Sequence, residues 1–269
     1  MLKLEPFVSK KIWGYENWCV SEHPAGASIP AGVRRGRGEY PIIVKVIQAN
    51  QPLSVQVHPD DEYARVREHC AGKFECWYVL DAAPGAELVA GIKPYLTKDD
   101  VRTALARGSI EDALYKVGVE KGSFVVIPPG LVHAIGGGIR LLEVQQSSDI
   151  TYRFYDWGRG RELHIEKAFD VLKPLAARTD NFLERFPEGT RFSSPYFSLE
   201  LIEHPATIDC APDTVLFALD GSGTLAAKNG ETQIMTQKED AVFFPSDETV
   251  TASGGLTLLR ILPADDSCS

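Results

Sequence analysis

The sequence predicts a mainly β chain folded as two β-barrels with a small helical insert. Three observations carry this. Short apolar runs of strand length recur from residue 42 to residue 262, a stretch near 97–118 between them switches to helical spacing, and one strand motif occurs twice.

The elements follow in order. Ile42 to Gln48 and Leu53 to His58 read as two strands joined by Ala49-Asn50-Gln51-Pro52. Alternation along Ser54-Val55-Gln56-Val57-His58 puts Ser54, Gln56 and His58 on one face and the two valines on the other. Pro59-Asp60-Asp61-Glu62 reads as a helix start, with carboxylates at its positive end. Further strands are expected at Glu75–Leu80, Ala86–Ala90, Phe124–Ile127 and Ile139–Val144. Within the insert, Thr97-Lys-Asp-Asp100 forms a capping box for a helix carrying Val101, Ala104 and Leu105, and Gly108 ends it. Ser109 to Tyr115 reads as a second short helix. His164 to Leu172 reads as a third, with Ile165, Ala168, Phe169 and Leu172 as its core stripe. Beyond about residue 175 the strands are Phe197–Ile202, Val215–Leu219, Gly223–Ala227, Ala241–Phe244 and Leu256–Leu262. Lys121-Gly-Ser-Phe-Val-Val-Ile-Pro128 aligns without gaps with Lys238-Glu-Asp-Ala-Val-Phe-Phe-Pro245, and the same register sets His133 opposite Val250. The expected division is therefore 1–172, with the insert and the chemistry, and 173–269, a C-terminal β-barrel that lacks metal ligands.

Composition narrows the function. In 269 residues, 37 Asp and Glu stand against 28 Lys and Arg, a net charge of −9 that argues against nucleic acid and against a polybasic membrane patch. An anionic small ligand in a locally basic pocket stays open. No run approaches the roughly 18 apolar residues of a spanning helix. Glu5 and Pro6 stand where a leader would be apolar, and the five cysteines are odd in number with no CxxC pair. A cytoplasmic protein with reduced thiols is expected. The run Gly32-Val-Arg-Arg-Gly-Arg-Gly38 reads as a flexible solvated loop, or alternatively as a mobile element near an anionic substrate.

Four residues have the chemistry to share one divalent cation. Gln56 and His58 project together from one strand, Glu75 opens the next, and Pro128-Pro129-Gly130 turns the chain to present His133. Two imidazoles, a carboxylate and an amide oxygen suit zinc or a similar ion with a position left open. His23, His69 and His204 have no such setting. The Gly-Pro-Gly-His spacing around His133 resembles the second motif of the cupin superfamily, whose fold is the double-stranded β-helix; the resemblance implies two cupin-like β-barrels.

More of the chain then agrees with one family. Lys11-Ile-Trp-Gly14, Ser54-Val-Gln-Val-His-Pro-Asp-Asp61, Gly72-Lys-Phe-Glu-Cys-Trp-Tyr78, Pro129-Gly-Leu-Val-His-Ala-Ile135, Glu143-Val-Gln-Gln-Ser-Ser-Asp-Ile-Thr-Tyr-Arg153 and Arg161-Glu-Leu-His164 together resemble the type I mannose-6-phosphate isomerases of the short bacterial form. That resemblance implies a zinc enzyme interconverting mannose 6-phosphate and fructose 6-phosphate, with one zinc per chain on Gln56, His58, Glu75 and His133. It carries the family's active-site lysine onto Lys73 and its arginine onto Arg153, and a phosphate-contacting serine onto Ser54. The family usually has Thr where Phe74 stands, and a more apolar stretch where the Arg/Gly loop stands. Aldose–ketose isomerisation moves a proton between C2 and C1, and Glu143 is a candidate for the base. Lys73 and Arg153 offer positive charge to an enediolate or a phosphate. An ion pair with Asp149 or Asp156 is the structural alternative for Arg153. Two rivals differ in class: an iron-dependent cupin oxygenase, which would favour a third imidazole at Gln56, and a non-catalytic sugar-phosphate-binding cupin. The partner implied is a small sugar phosphate, and monomer and dimer stay equally open.

Overall fold

The computed structural model describes residues 1–34, 37–177, 180–181, 191–203, 206–230 and 232–264. His204 and Cys268 lie outside the described residues, as do Arg35 and Gly36 of the Arg/Gly loop. The architecture is mainly β and cupin-like, with three α-helices among the described residues. None of them is long and apolar enough to cross a membrane.

The chain separates into two compact units. The first comprises Met1–Ser9, Asn17–Val46 and Phe182–Ser269, and the second Lys10–Glu16 and Ile47–Asn181. Most of the first 46 residues thus group with the C-terminal strands. The physical ties are a strand pair, Leu2–Lys3 with Val242–Phe243, and the buried Arg34, discussed below.

In the second unit one sheet runs in the order Tyr152–Tyr155, Val55–Val57, His133–Ile135, Glu87–Ile92, Leu114–Gly118. In the other sheet, Glu75–Ala82 lies between Ser123–Ile127 and Ile139–Gln146. Leu88 and Ile135 of the first sheet meet Trp77, Val79, Val125, Ile127 and Leu141 of the second in one buried cluster. The opposite face of the first sheet, carrying Val55, Val57, Val89, Ala134, Tyr152 and Phe154, is covered by the helical residues Val101, Ile110, Ala168 and Phe169. Period-two alternation therefore sorts the Val55–Val57 strand as expected, with valines to the helices and Gln56 to the interior.

The helices form where their caps predict. Asp60 caps Asp61–Arg67, and the reciprocal Thr97–Asp100 box starts Lys98–Ala106. Ile165–Val171 buries Ala168 and Phe169. The expected second helix of the insert is corrected: only Ile110–Ala113 coils, as a 3-10 turn, and Leu114–Gly118 is a strand. Its backbone pairs with Glu87–Ile92, and that ladder outweighs weak local propensity.

The first unit repeats the pairing pattern. Ala241–Phe244 pairs with Thr214–Asp220, as Ser123–Ile127 pairs with Glu75–Ala82. Val250 stands opposite Ile208 and Ala227, as His133 stands opposite Gln56 and Ala90. Thr214 faces Phe244 where Glu75 faces Ile127. Counting from these registers, Ile208, Cys210, Thr214 and Val250 occupy the places of Gln56, His58, Glu75 and His133. Ile208, Cys210 and Val250 lie in that unit's apolar core.

The Arg/Gly loop departs from both of its expected roles at Arg34. This side chain is buried, donates from Nε and Nη2 to Asp213 at 2.8 and 2.7 Å, and from Nη1 to Glu22 at 2.8 Å and the Gly38 carbonyl at 2.6 Å. Its guanidinium also lies over the Tyr40 ring. Burial alone would lower its pKa, but the Asp213 and Glu22 contacts more than reverse this and hold the charge in place. A guanidinium so fully engaged is a structural clamp.

Candidate metal centre and active site

Gln56, His133 and Arg153 are cross-strand neighbours, since His133 pairs with Gln56 on one side of the strand and Arg153 pairs with it on the other. Directly opposed residues share a face, so all three project together. His58 follows one residue beyond the strand. Gly130, at φ +90, makes the turn that delivers His133, a conformation that favours glycine, and its N–H donates to the His58 carbonyl at 2.9 Å. The turn is thus tied to the second imidazole.

Glu75 and Trp77 come from the facing sheet, where they pair with Gln145 and Glu143. His58, Glu75 and His133, all buried, have ligand atoms within 4.8 Å of one another, the one such group among the described residues. The two Nε2 atoms are 3.1 Å apart, and the Glu75 carboxylate lies 3.6 Å from His58 and 3.5 Å from His133. His133 Nδ1–H donates to the Leu131 carbonyl at 2.9 Å, which leaves its Nε2 lone pair aimed at the cluster. Burial lowers the His133 pKa to about 4, so the ring is neutral near neutrality. Two imidazole nitrogens facing one another beside a carboxylate make a donor set that fits a divalent cation. The Gln56 amide reaches His133 Nε2 at 3.2 Å, and a half turn of that amide presents its oxygen as a fourth donor.

Lys73 is buried with its Nζ 3.1 Å from Glu75. Burial works to lower its pKa, yet Glu75 and then Glu143 outweigh it, so the ammonium stays charged. Glu143 is buried as well, its Oε1 accepting from Trp77 Nε1–H at 3.1 Å. The Trp77 ring meets the His133 ring edge to face, with centroids 5.5 Å apart. Sequence reasoning missed Trp77; its position two residues past Glu75, on the same strand face, was the available signal. Arg153 donates from Nη1 to the Glu162 carbonyl at 2.8 Å, while its Nε is buried without a hydrogen-bond partner among the described residues. The Asp156 carboxylate hydrogen-bonds to Arg159 and Arg161 and acts on Arg153 through its charge. Ser54 is buried two residues before Gln56.

A cupin-like β fold with an inward His–Glu–His cluster that could hold a metal, and a buried lysine against the carboxylate, defines the class of protein. The chain belongs to the mannose-6-phosphate isomerase family. Residues 27–97 match the family model described as phosphomannose isomerase type I, catalytic domain. The mannose-6-phosphate isomerase of Streptococcus mutans is 34% identical, over 91% of this chain and 92% of that one. The crystal structure of the mannose 6-phosphate isomerase from Bacillus subtilis superposes with a TM-score of 0.81 at 25% identity, covering 96% of this chain and 98% of that one. A mannose 6-phosphate isomerase bound with zinc and yttrium shares the fold, with a TM-score of 0.74 at 16% identity over 98% and 99% of the two chains.

Proposed function

We propose that this protein interconverts mannose 6-phosphate and fructose 6-phosphate through an enediolate, with one zinc ion held by Gln56, His58, Glu75 and His133. The observation that carries the reading is the convergence of His58, Glu75 and His133 in a chain of this family. Every residue of the site falls within 1–172, which we take as the catalytic part. When bound, a divalent ion supplies Lewis-acid polarisation of the carbonyl and stabilises negative charge on oxygen.

The chain's own residues do the rest. Glu143 takes the carbon-bound proton from C2 and returns it to C1, while the C2 hydroxyl proton passes to the C1 oxygen; the Trp77 indole fixes the carboxylate. Lys73, held charged by Glu75, offers a point charge to the substrate from the ground state onward. Arg153 offers the planar fork that suits an enediolate or phosphate, and Ser54 a hydroxyl for the phosphate end. The test is a coupled assay for fructose 6-phosphate formed from mannose 6-phosphate, before and after chelation. Turnover that disappears on chelation and returns with zinc is expected. Absence of turnover in zinc-loaded protein would remove the isomerase reading, and full turnover in metal-free protein would remove the metal from it.

A further inference from the structure

Lys73 has an unusual placement. It is buried and charged, yet it lies outside the sheet, because the strand that carries Glu75 begins two residues later. No ladder hydrogen bond fixes its backbone, and four rotatable side-chain bonds would pass any drift on to the ammonium. Its peptide is nevertheless held on every side. The Gly72 N–H donates to Asp61 Oδ1 at 2.8 Å, the Lys73 N–H to the Pro59 carbonyl at 3.1 Å, and the Phe74 N–H to Gln146 Oε1 at 2.8 Å. The Gln146 N–H returns a bond to the Phe74 carbonyl at 3.1 Å, and Gln146 Nε2 donates to the same Asp61 Oδ1 at 3.0 Å. Asp61 and Gln146 thus join one another behind the lysine while each holds one flanking peptide. The fit is close: a Cβ on Gly72 would stand 2.6 Å from backbone atoms of Asp60 and Asp61.

We infer that Asp61 and Gln146 are positioning residues that set the Lys73 ammonium against substrate and Glu75. This rests on the reading of Lys73 as a substrate-binding charge. Misplacement of about 1 Å in such a group costs on the order of 10²-fold in rate, so a partial loosening should read as about tenfold.

The test is a double-mutant cycle on the zinc-loaded full chain, measuring KM and kcat, with metal content and Tm read in parallel. Gln146→Met, which keeps bulk and loses both polar ends, should lower kcat/KM about tenfold, mostly through KM, with metal content unchanged. Asp61→Asn should behave as wild type, because its Oδ1 still accepts from Gly72 and Gln146. In a Lys73→Met background, Gln146→Met should cost nothing further, since residues acting through one group are not additive. An equal loss from Gln146→Met with and without Lys73, or no loss at all, overturns the positioning role. Wild-type kinetics in Lys73→Met alone instead overturns the reading of Lys73 itself. Should Gln146→Met fail to fold, Asp61→Ala takes its place in the same cycle with the same outcomes.

Discussion

Replacing Asp213 isolates the worth of the Arg34 clamp. The Arg34 side chain is 6% exposed, and Asp213 supplies both prongs of its fork as well as a 2.7 Å contact to Arg37. Asp213 also sits at φ +68, where glycine is unstrained and alanine is not. Asp213→Gly therefore removes the carboxylate without adding backbone strain. It leaves a buried guanidinium with Glu22 and the Gly38 carbonyl as its remaining acceptors. Breaking a buried pair costs about 3–5 kcal/mol. Because Glu22 persists as a counter-charge, the lower figure of about 3 kcal/mol applies to this site. At about 2–4 °C per kcal/mol for chains of this size, Tm should fall by about 6–12 °C. Asp213→Ala should lose roughly 1 kcal/mol more, from the left-handed backbone. Calorimetric or CD melting measures both, and the coupled assay measures KM, which should not move because Arg34 has spent its fork on Asp213, Glu22 and Gly38. A raised KM with Tm within a degree of wild type would refute the clamp and restore the Arg/Gly loop as a substrate-binding element.

Three further outcomes are expected. Arg153→Lys keeps the charge but loses the fork, and should lower kcat by about 10²-fold, the scale of removing one preorganised donor; a wild-type rate would reduce Arg153 to a diffuse positive charge. His133→Ala should lose tight metal in elemental analysis while wild type holds one equivalent per chain. Two tight equivalents in wild type, or unchanged content in the variant, would contradict the site. The Asp156 pKa is held below the ordinary aspartate range, first by the Arg161 hydrogen bond and, against the opposing effect of burial, by Arg159. A depressed carboxylate adds stability above its unfolded pKa and loses it as pH falls through the folded one. The Tm advantage of wild type over Asp156→Asn should therefore be full near neutrality and shrink on acidification below about pH 4. A constant difference down to strongly acid pH would refute the linkage.

What the sequence disclosed and what it hid divide along physical lines. Gln56 and His58 were readable because strand periodicity is local, and His133 because a Pro-Pro-Gly turn announces itself. The capping box at Thr97 was equally plain. The strands Leu114–Gly118 and His133–Ile135 were not, because their pairing with Glu87–Ile92, and not their local pattern, makes them strands. Arg34 looked solvated because its acceptor Asp213 lies 179 residues away. Gln146 and Asp61 looked like ordinary polar residues beside a motif, since their work is done across 85 residues of intervening chain.

The paired construction of the two units bears on what the fold needs at its centre. In the first unit the same four sheet positions hold Ile208, Cys210, Thr214 and Val250, all buried and three of them in the apolar core, where the other unit has Gln56, His58, Glu75 and His133. In that unit the strands therefore close on side chains that call for no ion. In the second unit the apolar clusters on both faces of the five-stranded sheet bring the strands together on their own account. Residues of opposite polarity at matching positions thus share one strand pairing, which belongs to the ladders and not to what they enclose.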